Sequence, residues 1–323
     1  MSTKAELLEY LQSAKGEFVS GQDIADHLKI SRNSVWKAVT ALKKDGYQIE
    51  GRSKAGYRIS GISNGLSMSE INAFRKVPCD LEVYDSVSST NDLAKLKPLS
   101  HRLIAIVANK QTEGRGRLGR TFVSPAGTGL YMTLALKPAF ALDRSPFVTM
   151  ATAVAVCRAI QKVCGIDPQI KWVNDIYYNK KKVCGILTEA QTSLESGSID
   201  RLIVGIGVNC YPGSFPSELR KIAGSLTDQA GSFSRSELAA EIINEFSAIL
   251  DDMEERSFLA EYRRRCFILG KRIRVHPHYD EEGTLARAIS VEQDGSLLVE
   301  YLEGPEQGLR KAIRTGEISI SVF

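Results

Sequence analysis

A short stretch of glycine and arginine, residues 114–120 (GRGRLGR), constrains most strongly how the middle of this chain can fold. It has one apolar side chain to bury, so we predict a loop rather than a helix or strand. Glycine lets backbone N–H groups approach a ligand closely, and arginine presents a planar fork of donors that suits phosphate or carboxylate. We therefore expect an anion-binding loop, with a solvated basic turn as the alternative.

The glycine spacing also fits the G-x-G-x-x-G pattern of dinucleotide-binding folds. That pattern requires a helix directly after it and an acidic residue about 20 positions on. The chain instead continues through Pro125 and Gly127 into residues 129–136 (GLYMTLAL), an apolar run that ends before Pro138. This run predicts a strand, so a Rossmann fold is not expected.

Length and composition indicate several soluble domains. The chain has 323 residues, 43% hydrophobic and 25% charged, which is more than one ordinary domain requires. Residues 1–62 carry ten Lys and Arg against seven Asp and Glu, whereas residues 270–323 carry seven against nine. The chain start lacks the apolar core of a signal peptide, and the uncharged run at residues 145–157 is too short to span a bilayer. We expect a cytoplasmic protein with no membrane partner.

The six cysteines form no C-x-x-C pair and have no paired histidine. Neither a zinc site nor a disulfide framework is therefore predicted, and most are expected to be buried free thiols. His276 and His278 flank Pro277 and are not expected to bind a metal. No metal-binding residue is predicted.

Residues 1–62 have the pattern of a winged helix-turn-helix. Two short amphipathic helices precede a third, which we expect Ser31 to cap, and a hairpin with a basic tip follows. In the third helix Val35, Val39 and Leu42 recur toward the core. The outward side chains suit a DNA major groove. They are Arg32, Asn33, Ser34, Trp36, Lys37, Thr40 and Lys43 on the helix, with Arg52 and Lys54 in the wing.

The middle of the chain alternates apolar runs with polar clusters. Residues 88–91 (SSTN) crowd hydroxyls and an amide at a strand-to-helix junction, where they either cap the helix or bind the polar head of a ligand. Residues 170–177 should be interior yet include Lys171, Asn174 and Asp175, and buried ionisable groups are costly unless paired or functional. Residues 179–182 (NKKK) predict a tight turn, which joins antiparallel strands, so the sheet is not doubly wound and parallel.

Six motifs together resemble the BirA-type bifunctional biotin protein ligases, which also repress the biotin operon. They are STN at 89–91, Gln111, GRGRLG at 114–119, KWVND at 171–175, KVCGIL at 182–187 and GIGVN at 205–209. The similarity covers nearly the whole chain. It implies an α+β multidomain fold: a winged helix-turn-helix DNA-binding domain over 1–62, a catalytic domain with a class II synthetase-like mixed sheet and helices over 66–268, and a C-terminal SH3-like β-barrel over 269–323. The short β-like runs after Gly270 fit a small barrel as well.

The resemblance also implies roles for single residues. Those implied for biotin are Ser89, Thr90, Asn91, Gln111, Arg115, Gly116, Arg117 and Lys182. Those implied for the nucleotide are Arg115, Arg117, Arg120, Phe122, Asn174 and Asn209. Those implied for catalysis are Arg117, Lys182 and Asp175. We expect the glycine-arginine loop to be mobile without ligand, because exposed arginines make few contacts.

Two residues depart from the family pattern. Val173 stands where the family usually has proline, and Phe122 where it often has tryptophan. Valine restores a backbone N–H that proline lacks, and phenylalanine has no indole donor. We expect both to change fine geometry rather than activity.

The implied reaction uses biotin and ATP, with Mg²⁺, to form biotinyl-5′-AMP. Biotin then passes to a lysine of a biotin carboxyl carrier protein, in acetyl-CoA carboxylase or another biotin-dependent carboxylase. Biotinyl-5′-AMP is the implied corepressor, and a ligand-promoted homodimer is expected at operator DNA. Two alternatives are a lipoate ligase-like enzyme and a non-catalytic, ligand-responsive transcriptional regulator.

Overall fold

The computed structural model of the chain describes residues 3–14, 16–44, 47, 49–59, 65–99, 102–138, 145–192, 199–213, 215–276, 282–314 and 317–320. The helices are α1 Thr3–Ser13, α2 Gly21–Leu28, α3 Arg32–Lys44, α4 Met68–Phe74, α5 Thr90–Leu96, α6 Ser145–Cys164, α7 Arg235–Asp251 and α8 Phe258–Arg265. The strands are β1 Ile49–Arg52, β2 Gly56–Ile59, β3 Asp80–Tyr84, β4 Leu103–Ala108, β5 Gly129–Leu136, β6 Gln169–Lys171, β7 Asp175–Tyr178, β8 Lys181–Thr192, β9 Ile199–Asn209, β10 Arg272–His276, β11 Thr284–Val291, β12 Leu297–Tyr301, β13 Arg310–Ile313 and β14 Glu317–Ile320.

Three helices and a two-stranded hairpin make up residues 3–59, as predicted for a winged helix-turn-helix. Apolar side chains of α1 and α3, among them Leu7 and Leu42, are buried in one cluster. Gly56 has a φ of +98°, and a Cβ atom there would lie 1.9 Å from the carbonyl oxygen of Val19. Only glycine therefore fits where the wing crosses the chain that leads into α2.

The central sheet has seven strands in the order β3-β4-β5-β9-β8-β7-β6. Among the described pairs, β3 and β4 run parallel, and the others are antiparallel. Helices α6 and α7 share a buried apolar core with one face, whereas Ala94 of α5 packs with Ile104 and Ile203 on the other. This mixed sheet confirms the predicted fold class.

The C-terminal strands form a five-stranded antiparallel sheet in the order β13-β12-β11-β10-β14. Short strands are what the sequence predicts for this segment, and the structure shows that they pair antiparallel. The turn between β11 and β12 contacts the central part of the chain, where the indole N–H of Trp172 donates to the carbonyl of Gly295 at 3.1 Å. His276 ends β10, and His278 lies outside the described residues.

Helix α6 is long and apolar enough to cross a membrane by length and composition, which the uncharged run alone did not indicate. Of its segment 147–164, 67% is buried inside the fold, as in the core helix of a globular domain. Four of the cysteines are buried and free, as expected: Cys157, Cys184, Cys210 and Cys266.

One local prediction was wrong. Lys182, assigned to a turn, lies inside β8, where it pairs with Tyr177 of β7. The turn consists of Asn179 and Lys180 alone, with φ of 47° and 62°. Two successive residues at positive φ form the two-residue hairpin that suits the twist of antiparallel strands, so the strand begins earlier than the run of lysines suggests.

Candidate active site

A cavity of about 830 Å³ lies on the α5 face of the central sheet, under the glycine-arginine loop. Among the described residues, those that line it all fall between Ser89 and Ala223. Every residue predicted for biotin, nucleotide or catalysis is on its wall: Ser89, Thr90, Asn91, Gln111, Arg115, Gly116, Arg117, Arg120, Phe122, Asn174, Asp175, Lys182 and Asn209. The structure thus brings together side chains from distant parts of the sequence.

One end of the cavity is a buried polar cluster at the start of α5. Ser89 caps this helix, accepting a hydrogen bond from the backbone N–H of Asp92. Thr90 donates its backbone N–H and its hydroxyl to Oε1 of Gln111, at 2.9 and 3.0 Å. Gln111 in turn donates to the hydroxyl of Ser124 at 3.1 Å. Ser89 can therefore cap α5 while Thr90 and Asn91, which follow it, face the cavity.

Asn91 is held from two sides. Thr133 of β5 donates its hydroxyl to Asn91 Oδ1 at 2.6 Å, and Asn91 Nδ2 donates to Glu189 Oε2 of β8, also at 2.6 Å. Lys95, one turn further along α5, donates to Glu189 Oε1 at 2.9 Å. Burial raises the pKa of Glu189, but the hydrogen bonds from Lys95 and Asn91 outweigh it and the net pKa is below its ordinary value.

The floor of the cavity is made of glycines at matching positions of neighbouring strands. Gly207 of β9 lies opposite Gly185 of β8. Two residues away on β9, Gly205 lies opposite Thr133 of β5. A Cβ atom at Gly205 would lie 2.5 Å from Asn91 Oδ1, and one at Gly207 would lie 2.4 Å from the Phe122 ring. Glycine is thus required where the amide and the ring approach the sheet.

The glycine-arginine loop makes more contacts than expected. Arg115 is ion-paired with Asp92 at the start of α5, and Arg117 donates to Asn174 Oδ1 at 2.9 Å. Gly116 N–H donates to the carbonyl of Arg120 at 2.7 Å. Leu118 has a φ of 57° and its side chain is 61% exposed. The loop is therefore tied to both ends of the cavity by its arginines.

The opposite wall carries the strand pair β7 and β8. Lys182 Nζ lies 2.6 Å from Asp175 Oδ1, and both side chains are more buried than exposed. Asn174 donates its amide to the carbonyl of Ile186 at 3.0 Å, which fixes the oxygen toward Arg117. The peptide bond between Trp172 and Val173 is cis. Asn174 and Asp175 nevertheless line the cavity, as expected despite the valine.

A second groove, which shares no lining residue with this cavity, lies between α3 and the wing. It is lined by Arg32, Asn33, Trp36, Arg52 and Lys54 among others. The predicted DNA-binding side chains are exposed, Trp36 to 56%, with one exception. Ser34 is half-buried and its backbone N–H and hydroxyl both bond to the Ser31 hydroxyl, so it belongs to the helix cap.

The sequence did not indicate three residues that support the polar cluster: Thr133 and Glu189 contact Asn91, and Lys95 contacts Glu189. The sequence partly indicated Thr133, because apart from Tyr131 it is the one residue of the apolar strand β5 that carries a hydroxyl group. Glu189 is 98 residues from Asn91 in the sequence. Only the pairing of β8 with β9 brings it to this face, so no local pattern could indicate it.

Comparisons with known proteins agree with this geometry. Residues 83–209 match the biotin/lipoate A/B protein ligase family, and residues 3–58 match a helix-turn-helix domain. The bifunctional ligase/repressor BirA of Bacillus subtilis is 36% identical over 93% of this chain and 95% of its own length. That of Escherichia coli is 25% identical over 95% of this chain and 94% of its own.

Among solved structures, the biotin protein ligase of Aquifex aeolicus in complex with biotin and ATP superposes with a TM-score of 0.62 at 28% identity. The match covers 74% of this chain and 97% of that one. With the ligase-family match, the helix-turn-helix match and a relative that is 36% identical over 93% of the chain, the chain belongs to the family of BirA-type bifunctional biotin protein ligases and repressors.

Proposed function

We propose that this chain activates biotin with ATP, transfers it to a protein lysine, and represses biotin genes. The observation that supports this proposal most is one cavity that has a cluster of uncharged polar side chains at the start of α5 and has Arg117, beside Asn174, and Lys182, beside Asp175, on the side of β7 and β8. In the first step a biotin carboxylate oxygen attacks the α-phosphorus of ATP, the bond to the bridging oxygen breaks, and pyrophosphate leaves. In the second, an acceptor lysine amine attacks the acyl carbon, loses a proton, and AMP leaves.

The polar cluster supports biotin rather than lipoate as the acid. Biotin carries a cyclic urea with one carbonyl acceptor and two N–H donors, whereas the dithiolane of lipoate has no comparable groups. The amides of Asn91 and Gln111 each use one N–H on a protein partner and retain a second, and the Ser89 hydroxyl keeps its proton. A dithiolane would leave these buried donors unpaired, which costs roughly 1–3 kcal/mol for each group.

At the basic end, Arg117 and Lys182 stabilise the charge that develops on the α-phosphate. Arg115 and Gly116 hold the loop over biotin and the phosphate. Residues assigned to the nucleotide are Arg120, Phe122, Asn174 and Asn209. Mg²⁺ enters with the triphosphate as part of the substrate, and the oxygens of Asp175 and Asn174 are ligands of the kind it prefers. A closed loop also keeps water from the anhydride.

Repression uses residues 1–62, whereas residues 66–268 with 269–323 carry out ligation in the cytoplasm. The exposed polar face of α3 and the wing tip fit a DNA groove. Since one small winged helix makes a limited interface, a homodimer promoted by biotinyl-5′-AMP would bind a two-fold related operator. The acceptor would be a biotin carboxyl carrier protein of acetyl-CoA carboxylase or another carboxylase.

Labelling of an acceptor domain tests the ligase half of this proposal. The protein is incubated with ATP, Mg²⁺, a purified biotin carboxyl carrier domain and either biotin or lipoate. Mass spectrometry should show biotin on one lysine and no lipoyl adduct. Lipoylation at a comparable rate would support the lipoate ligase alternative, and no modification of either kind would support a non-catalytic regulator.

Truncation tests the repressor half. Deleting residues 1–62 should abolish binding to DNA upstream of the cell's own biotin genes while ligation continues. Full-length protein should bind more tightly with biotin and ATP present, and its affinity should fall steeply with salt because phosphate contacts release counterions. Specific DNA binding by the truncated form would overturn the assignment.

A further inference from the structure

We infer that Glu189 is a positioning residue that fixes the side-chain amide of Asn91 in one orientation and thereby sets affinity for the biotin ring. The inference rests on the proposed function, since it concerns the same cavity. Glu189 does not line the cavity. It acts through Asn91, which does.

Strand register places the three side chains together. Thr133 lies opposite Gly205, and Glu189 lies opposite Ile203, two residues along the same strand. Because side chains alternate along a strand, positions 133, 189, 203 and 205 all lie on the α5 face of the sheet. Gly205 leaves a gap between Thr133 and Glu189, and the Asn91 amide enters it from α5.

The chemistry of the two partners dictates which way the amide points. An ionised carboxylate accepts hydrogen bonds and cannot donate them. The atom of Asn91 that lies 2.6 Å from Glu189 Oε2 must therefore be the NH₂ group, and the oxygen must face the Thr133 hydroxyl. The reversed amide would place oxygen against carboxylate oxygen, with both side chains largely withdrawn from water.

Lys95 keeps Glu189 in the state that this role needs. Its ammonium group bonds to Glu189 Oε1 at 2.9 Å and to Asp92 Oδ1 at 3.3 Å. Asp92 also pairs with Arg115 of the glycine-arginine loop. The carboxylate is thus ionised and immobile, and a glutamine in its place could either accept from Asn91 or donate to it.

The chain offers a matched control in an ion pair outside the cavity. Glu82 of β3 forms an ion pair with Lys97 just after α5, with Nζ 2.7 Å from Oε2. Its exposure, 34%, is close to the 29% of Glu189. Glu82 does not line the cavity and has no described contact with a residue that does. Glu82→Gln thus removes a similar charge without touching Asn91.

Direct binding of biotin by calorimetry tests the inference without requiring turnover. In the full-length protein, Glu189→Gln should raise the Kd for biotin about tenfold, in the range for a lost hydrogen bond to a buried charged group. Glu82→Gln should leave it unchanged, and the KM for ATP should not move in either variant. If Glu189→Gln does not fold, Lys95→Gln should raise the Kd in the same direction.

A double-mutant cycle separates positioning from a general structural effect. In an Asn91→Ala background, Glu189→Gln should cause almost no further loss of biotin affinity. An equal loss in both backgrounds, or a Kd within about twofold of the unmodified protein in the folded Glu189→Gln variant, would overturn the inference. Failure of the unmodified protein to bind biotin would instead refute the proposed function, and the inference with it.

Discussion

Lys182 Nζ lies 2.6 Å from Asp175 Oδ1, across the neighbouring strands β7 and β8 on the wall of the cavity. The lysine is therefore held at a defined place, because its flexible stem is fixed at the charged end. An ammonium group that is already oriented stabilises developing phosphate charge without paying for reorganisation during the reaction. The carboxylate also offers an oxygen near the expected position of the triphosphate.

Removing either partner of this pair should affect the adenylation rate unequally. Lys182→Met should lower kcat for biotinyl-adenylate formation about a hundredfold, as expected for one preorganised donor. Asp175→Asn should lower it only about tenfold, because the cation stays and loses only the carboxylate that forms an ion pair with it. ATP–pyrophosphate exchange measures both. A larger loss in Asp175→Asn than in Lys182→Met would assign the main role to the carboxylate.

Arg117 should contribute to the same step from the loop side. Arg117→Ala removes a guanidinium whose one described protein contact is Asn174, 2.9 Å away. We expect adenylation to fall roughly a hundred- to thousandfold while the melting temperature stays nearly constant. Arg102→Ala is the control, since Arg102 pairs with Asp251 on the surface. Near-normal adenylate formation by Arg117→Ala would contradict the assignment.

Substitutions at the two floor glycines, Gly205 and Gly207, should change the KM of different substrates. A methyl group at position 205 would meet the Asn91 amide, and one at position 207 would meet the Phe122 ring. Gly205→Ala should therefore raise the KM for biotin, and Gly207→Ala the KM for ATP. Each effect should be about tenfold, since overpacking typically costs about 1–3 kcal/mol. Steady-state kinetics with each substrate varied in turn would show the split, and the same profile in both variants would argue against two subsites.

Glu70 of α4 should make stability depend on pH. Burial raises its pKa, although the Ser234 hydroxyl, 2.8 Å from Oε1, opposes that effect. A raised folded-state pKa favours the neutral acid in the fold, so this contribution is present at low pH and is lost as pH rises through the folded pKa. Glu70→Gln keeps an acceptor for Ser234 and cannot ionise.

Urea unfolding measured between about pH 4 and pH 8 checks whether the raised pKa of Glu70 lowers stability as the pH rises. The midpoint of Glu70→Gln should exceed that of the unmodified protein by a margin that grows with pH and then levels off. The exposed variant Glu218→Gln should show no such trend. A margin that is constant across the range would mean that Glu70 is not perturbed.

The elements that sequence predicts well are those with a local signal. The serine cap of α7 at Ser234 is a pattern of neighbouring residues, and so is the uncharged run of residues 145–157 that makes up most of α6. For the same reason, the sequence indicated the polar residues Thr90 and Asn91 and the arginines of the loop. The Thr133–Asn91–Glu189 arrangement was not, because it depends on strand register across residues 42 and 98 positions apart. Lys182 was wrongly assigned to the hairpin turn, because only the backbone conformation shows which two residues form that turn.

Adenylate formation is measured directly by incubating the purified protein with biotin, ATP and Mg²⁺, without acceptor, and detecting pyrophosphate and biotinyl-5′-AMP. Both should form in equal amounts, omission of biotin should abolish both, and the adenylate should stay bound to the protein. Lipoate in place of biotin should give neither product. Binding of biotin without any pyrophosphate release would mean that this cavity is a binding site and not an active site.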